Sequence, residues 1–169
     1  MEVFDLRILS FDQATVISGW AVFQDGNYVD SGIITRPKAE KIDIRTKNMG
    51  LELCKKIEEV KPDFLVIEEV QDQHNISTVI KLARLQGILL GFAAAHNIQT
   101  EILTSSSWRG VLAYRQGPGV KREELKQQSI DYVKNNFGFD FSEDRCEAVC
   151  IGAAACKKFE KSDDIDIEI

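Results

Sequence analysis

Four carboxylates in this chain have the types and spacing of a divalent-cation site. Asp12 closes the run Ile8-Leu9-Ser10-Phe11, and Glu68 closes the run Phe64-Leu65-Val66-Ile67. Asp144 and Glu147 stand three apart in a stretch with helical character, which sets them on one helix face with Cβ atoms about 5 to 6 Å apart. Acids pressed together repel and take up protons unless cations compensate them. All-oxygen ligation suits magnesium or manganese. Two such ions about 4 Å apart orient an attacking water and stabilise the leaving oxygen in in-line phosphodiester cleavage. Taken singly, the same acids also read as dipole-favoured residues of a helix's first turn and as solvated strand ends. What separates the readings is whether the fold brings them together.

The elements that must do so are legible from periodicity. Residues 6–12 read as a strand, and 18–24 and 28–35 as two more around the turn Asp25-Gly26-Asn27, so the chain opens on a three-strand meander. Ile44, Met49, Leu51, Leu53, Cys54, Ile57 and Val60 recur at helical spacing until Pro62. Residues 63–68 then carry the run Phe64-Leu65-Val66-Ile67 without polar interruption, as expected of a strand covered on both faces. Residues 76–96 form a helix apolar over most of its surface, which needs more than one side buried. Residues 98–103 read as a strand, 104–109 as a short capped helix, 121–136 as a helix, and 142–159 as a final helix. The order implies an α/β fold: a five-stranded mixed sheet, the antiparallel meander extended by parallel strands through helical crossovers and flanked by helices. If the strands ending in Asp12 and Glu68 are parallel neighbours, both acids lie at the carboxyl edge of the sheet. Side chains alternate along a strand, so Glu68 and Glu69 cannot both point toward Asp12. Spacing does not choose between them.

Composition narrows the function classes. With 169 residues and 44% hydrophobic content, one domain can form its core without disulfides or structural metal. The expected division is one folded domain over 1–159 and a mobile acidic tail over 160–169. Cys54, Cys146, Cys150 and Cys156 show no C-x-x-C spacing and read as small buried packing groups in a reducing cytoplasm. No basic region precedes an apolar stretch at the amino terminus, and the uncharged apolar runs fall short of a span, so neither export nor a membrane is expected. A net charge of −6 looks wrong for a protein that meets phosphates. Much of it, however, sits in the tail, where Glu160, Asp163, Asp164, Asp166 and Glu168 face Lys161 alone.

The best basic and aromatic patch gathers Arg109, Arg115, Lys121 and Arg122 around the loop Gly117-Pro118-Gly119, near Trp108 and Tyr114. Trp108 reads as core rather than as a base-stacking ring. Arg36, Lys38, Lys41, Arg45 and Lys47 alternate with acids and read as a solvated loop and helix start. His74 and His96 are isolated.

A family resemblance joins these pieces. Ile8-Leu9-Ser10-Phe11-Asp12 followed by Ser18-Gly19-Trp20-Ala21-Val22 resembles the opening of RuvC-type Holliday junction resolvases, which are of the RNase H-like fold. Val66-Ile67-Glu68-Glu69-Val70 resembles that family's second acidic motif, in which the first acid is the ligand. Lys81-Leu82-Ala83-Arg84-Leu85-Gln86-Gly87-Ile88 is similar to its long dimer helix, and Asp144-Arg145-Cys146-Glu147-Ala148-Val149 to its closing acid-x-x-acid-Ala motif. The resemblance spans roughly residues 6 to 157. It implies an endonuclease that nicks opposing strands of branched DNA and leaves 5′-phosphate and 3′-hydroxyl ends. It also implies a homodimer through the helix around 76–95, and two Mg²⁺ or Mn²⁺ ions on Asp12, Glu68, Asp144 and Glu147. Arg109 and Lys121 fall near its basic positions beside the scissile phosphate, leaving Arg115 and Arg122 as outer phosphate contacts.

Three departures stand out. Glu147 replaces a common Asp, Gln71 sits where bacterial enzymes carry an aromatic wedge, and the loop 113–120 is longer. These resemble divergent or phage-type resolvases.

Overall fold

The computed structural model describes residues 6–71 and 75–163. Its strands are β1 (Arg7–Asp12), β2 (Ile17–Gln24), β3 (Asn27–Thr35), β4 (Phe64–Glu68) and β5 (Gln99–Leu103). Its helices are α1 (Ile42–Val60), α2 (Ile76–Ala95), α3 (Ser105–Val111), α4 (Arg122–Phe137) and α5 (Glu143–Asp163). Type and order agree with the expectation from periodicity. The last helix runs to Asp163 rather than ending at Phe159, so the proposed acidic tail begins inside a helix, and residues 164–169 lie outside those described.

The sheet order is β3-β2-β1-β4-β5. β1 pairs antiparallel with β2 and parallel with β4, which places the ends of β1 and β4 side by side. The two faces of the sheet carry separate cores. On one side Ile8, Ala21, Phe23, Val66 and Leu103 pack against α5 and Trp108. On the other Leu9, Phe11, Val22, Leu65 and Ile67 pack against α1 and α2. Strand alternation then assigns every following residue. Ile8 and Val66 face α5, so Asp12 and Glu68, four and two residues further on, face it too. Glu69 falls on the opposite side, where the Gln86 side chain of α2 donates to its carboxylate at 3.2 Å.

Small residues let α5 lie close enough to complete the site. A Cβ on Gly19, the register partner of Asp12, would come within 2.0 Å of the Asp144 carbonyl oxygen. One on Gly152 would come within 2.5 Å of the Phe23 ring and 2.6 Å of Ser10 Oγ. Ser10 Oγ donates to the Ala148 carbonyl at 2.8 Å, fixing the helix along the strand. Gly19→Ala should therefore push the first turn of α5 off the sheet. The expected cost is about 1–3 kcal/mol, as for other overpacked cores. Thermal unfolding checks the prediction, and a melting temperature equal to the parent's would show that α5 docks less tightly than this.

Helix α2 buries Leu85, Gln86, Leu89 and Ala93. Ile76 and Ile80 remain 75% and 46% exposed. Ala83, Gly87, Gly91 and Ala94 continue that exposed stripe, and a Cβ added to either glycine would meet nothing. Within one chain the helix thus has one side covered, not the several its composition calls for. By length and composition alone α2 suffices to cross a membrane. Lys81 and Arg84 interrupt it, and one face is bound into the core with α1.

Candidate active site

The end of β1, the end of β4 and the first turns of α5 open onto one cavity of about 420 Å³. Asp12, Glu68, Asp144 and Glu147 all line it. Acids from distant parts of the chain meet because β1 and β4 are parallel neighbours and α5 crosses their carboxyl ends. Gln13 ties the two strand ends together. Its side-chain amide donates to the Glu68 carbonyl at 2.5 Å, and its carbonyl accepts from the Glu68 N–H at 3.3 Å.

The electrostatics are those of crowded carboxylates short of positive charge. Burial raises the Asp12 carboxyl well above the usual range, and Glu147, Glu68 and Asp144 in turn raise it further, as does a hydrogen bond with Glu147. Glu68 is pushed up to about 7, by burial first and then by Glu147, against the opposing charges of Arg109 and Arg122. Burial also raises Asp144 and Glu147, with Lys126 opposing at both and Arg109 opposing at Glu147. A cation among them would reverse each shift. The donor set, all carboxylate oxygen, fits a hard divalent ion. Among the described residues no three acids stand at ligand spacing, Glu147 being turned to Asp12 and, at 3.5 Å, to Arg109.

The facing wall is basic. Arg109 comes from α3, and Arg122 and Lys126 come from α4. Arg109 stacks on Trp108 at 4.8 Å from the ring centroid, and its Nε is buried without a hydrogen-bond partner. Trp108 is fully buried, as expected of a core residue. Its indole N–H faces Glu68 and favours the charged carboxylate, though outside hydrogen-bond geometry.

Of the four basic candidates from the sequence, Arg109 and Arg122 line the cavity, while Arg115 and Lys121 do not. Arg115 is 73% exposed and pairs with Glu124 at 2.9 Å. Lys121 is exposed at the N-cap of α4, its backbone N–H donating to Glu124 at 3.3 Å. His74 lies outside the described residues. Cys146 and Cys150 are buried, their thiols pushed up to about 11 and about 12 by burial, which suits packing rather than chemistry.

Sequence reasoning missed Lys126, Glu143 and Gln13. For Lys126 a signal existed: it follows Arg122 by one helical turn, so whatever wall holds one holds the other. Glu143 stands beside Asp144 and forms an ion pair with Lys126.

Comparison with known proteins agrees with the geometry. The family model for RuvC, crossover junction endodeoxyribonuclease, matches residues 8–114. The chain is 27% identical over 136 residues to the crossover junction endodeoxyribonuclease RuvC of Geobacter metallireducens, covering 77% of this chain and 80% of that one. It is 26% identical over 148 residues to the protein of the same name from Alkaliphilus oremlandii, covering 85% and 90%. Among solved structures, T. thermophilus RuvC in complex with Holliday junction substrate superposes with a TM-score of 0.73 at 11% identity, over 92% of this chain and 96% of that one. The Fowlpox virus resolvase, in complex with its substrate Holliday junction DNA, superposes with 0.53 at 17% identity, over 91% and 99%. The sheet order, the acids at the ends of β1 and β4, the closing helix and a family match over most of the chain have one reading: the chain belongs to the RuvC family, on an RNase H-like fold.

Proposed function

We infer that this chain is a divalent-metal-dependent endonuclease that resolves four-way DNA junctions. It nicks opposing strands and leaves 5′-phosphate and 3′-hydroxyl ends. The observation that carries the reading is the convergence of Asp12, Glu68, Asp144 and Glu147 in one cavity with Arg109 and Arg122 across from them. The four acids would hold two Mg²⁺ or Mn²⁺ ions, which when bound supply Lewis-acid stabilisation of the phosphate and an acidified attacking water. The protein's own contribution is placement. Gln13 holds the two strand ends in register, and the α5 backbone over Gly19 sets Asp144 against Asp12. Arg109, held between Trp108 and Glu147, offers a fixed guanidinium to a phosphate oxygen. Arg115 and Lys121, exposed outside the cavity, suit phosphates further along the arm.

Purified protein on a labelled four-way junction, with and without Mg²⁺ or Mn²⁺, tests binding, chemistry and cofactor together. Paired nicks that need the metal are expected. Binding without cleavage in either metal would leave a junction-binding protein and remove the catalytic reading. Gln71, exposed at the cavity rim in place of an aromatic wedge, favours a wider range of branched substrates, which flap, duplex and hybrid digests would reveal.

The exposed stripe of α2 is assigned to a two-fold dimer. A substrate with two equivalent strands calls for two sites related by symmetry, and Gly87 and Gly91 allow two helices to approach closely. Ile80→Glu should yield a monomer by light scattering. It should also replace paired nicks with uncoordinated single nicks. A variant still dimeric at micromolar concentration would move the interface elsewhere. This reading puts the protein with cytoplasmic DNA.

A further inference from the structure

Resting on the nuclease reading, we propose that Lys126 is a second phosphate-binding cation beside Arg109, held in place by Glu143 until DNA displaces that carboxylate. The cavity receives cations from two helices, and they are held differently. Arg109 is fixed by Trp108 on one side and Glu147 on the other. Arg122 is exposed at the mouth. Lys126 lies one turn further along α4, with its side chain 27% exposed, and pairs directly with Glu143 on α5. That partner immediately precedes Asp144, so the ion pair bridges the cavity from the basic wall to the acidic one. Lys126 lines the same cavity as Asp144 and Glu147, and its charge favours the ionised forms of both.

A phosphate entering between the walls meets this lysine beside the acids of α5. Exchanging a carboxylate for a phosphate keeps the ammonium paired, and Glu143, 35% exposed, can turn to water. A partly solvated pair of this kind contributes little net stability, so its replacement is not opposed. The flexible stem and compact charge of lysine suit such an exchange, where the planar fork of arginine suits a fixed contact. None of the four basic candidates read from the sequence has this position.

The test compares wild type, Lys126→Gln and Glu143→Gln. Junction binding is measured in Ca²⁺ over a salt series, and single-turnover cleavage in Mg²⁺. If Lys126 grips the phosphate, Lys126→Gln lowers the slope of log K against log salt by about 0.9. It also slows cleavage at saturating junction about 10²-fold, the loss typical of one transition-state donor. Glu143→Gln, which frees the lysine, binds as tightly as wild type or more tightly. If the pair only ties α4 to α5, the two variants lose melting temperature and cleavage alike and share the wild-type slope, and the proposal is overturned. Lys126→Arg keeps the charge and should retain the slope, which separates loss of the cation from loss of folding. A wild-type protein that leaves the junction uncut overturns the nuclease reading and this proposal with it. Cutting by wild type with unchanged slopes in Lys126→Gln overturns this proposal alone.

Discussion

Asp12→Asn should abolish cleavage, by at least about 10³-fold, a loss of ~4 kcal/mol of transition-state stabilisation, while junction binding should survive or tighten. The asymmetry follows from where the residue sits. Asp12 lies at the meeting point of the acids, its carboxyl raised by burial first and then by the charges of Glu147, Glu68 and Asp144. Removing its charge would take away the proposed central cation ligand and also lower the negative potential facing a polyanion. Amide and carboxylate share a shape, so the strand end and its pairing with Gly19 are kept. Gel-shift and cleavage assays on the same four-way junction read the two effects separately. Full cleavage by the variant in Mg²⁺ would remove the acidic cluster from the mechanism.

Without metal, the protein should lose stability as pH rises from 5 to 8, the reverse of ordinary acid denaturation. Glu68 titrates at about 7 in the folded chain against an ordinary 4.5, so the folded state holds this proton more tightly than the unfolded one. Its contribution is fully present below the unfolded value and is lost as pH passes through the folded one. The loss for this group is up to about 3 kcal/mol. Asp12, Asp144 and Glu147 are raised as well and push in the same direction. For a chain of this size 3 kcal/mol corresponds to roughly 6–12 °C in Tm. Melting in EDTA at pH 5 and pH 8 measures the fall, and Mg²⁺ or Mn²⁺ at pH 8 should reverse it, because a ligand of the folded state alone stabilises that state. A Tm that is flat between the two pH values, or indifferent to both metals, would mean that the carboxylates are not crowded and do not bind the ions.

Much of the fold was open to reading before any coordinates. The meander, the parallel extension and the last helix follow from local periodicities of 2 and 3.6. Those periods reflect backbone geometry rather than context. The candidate acids were legible for the same reason: strand ends and the first turn of a helix are local features. The choice of Glu68 over Glu69 came from the family resemblance and not from periodicity. Alternation says only that the two point opposite ways. Which way is inward depends on α5 covering one face of the sheet and α1 with α2 the other. Of the basic group, Arg109 and Arg122 reach the cavity while Arg115 turns to Glu124, a distinction that nearness in sequence around one loop does not carry.

Residue order was enough for the elements, their succession, the family pattern and the four acids available for a cation. Packing across the chain put Asp12 and Glu68 on one face and, through the glycine at 19, let α5 close over them. It also paired Lys126 of α4 with Glu143 of α5. Hydrogen bonding along the backbone makes the first group a property of neighbours in the chain. The second depends on which surfaces pack together, and a contact between residues more than 100 positions apart, such as Ser10 with Ala148, leaves no mark on the local pattern of either.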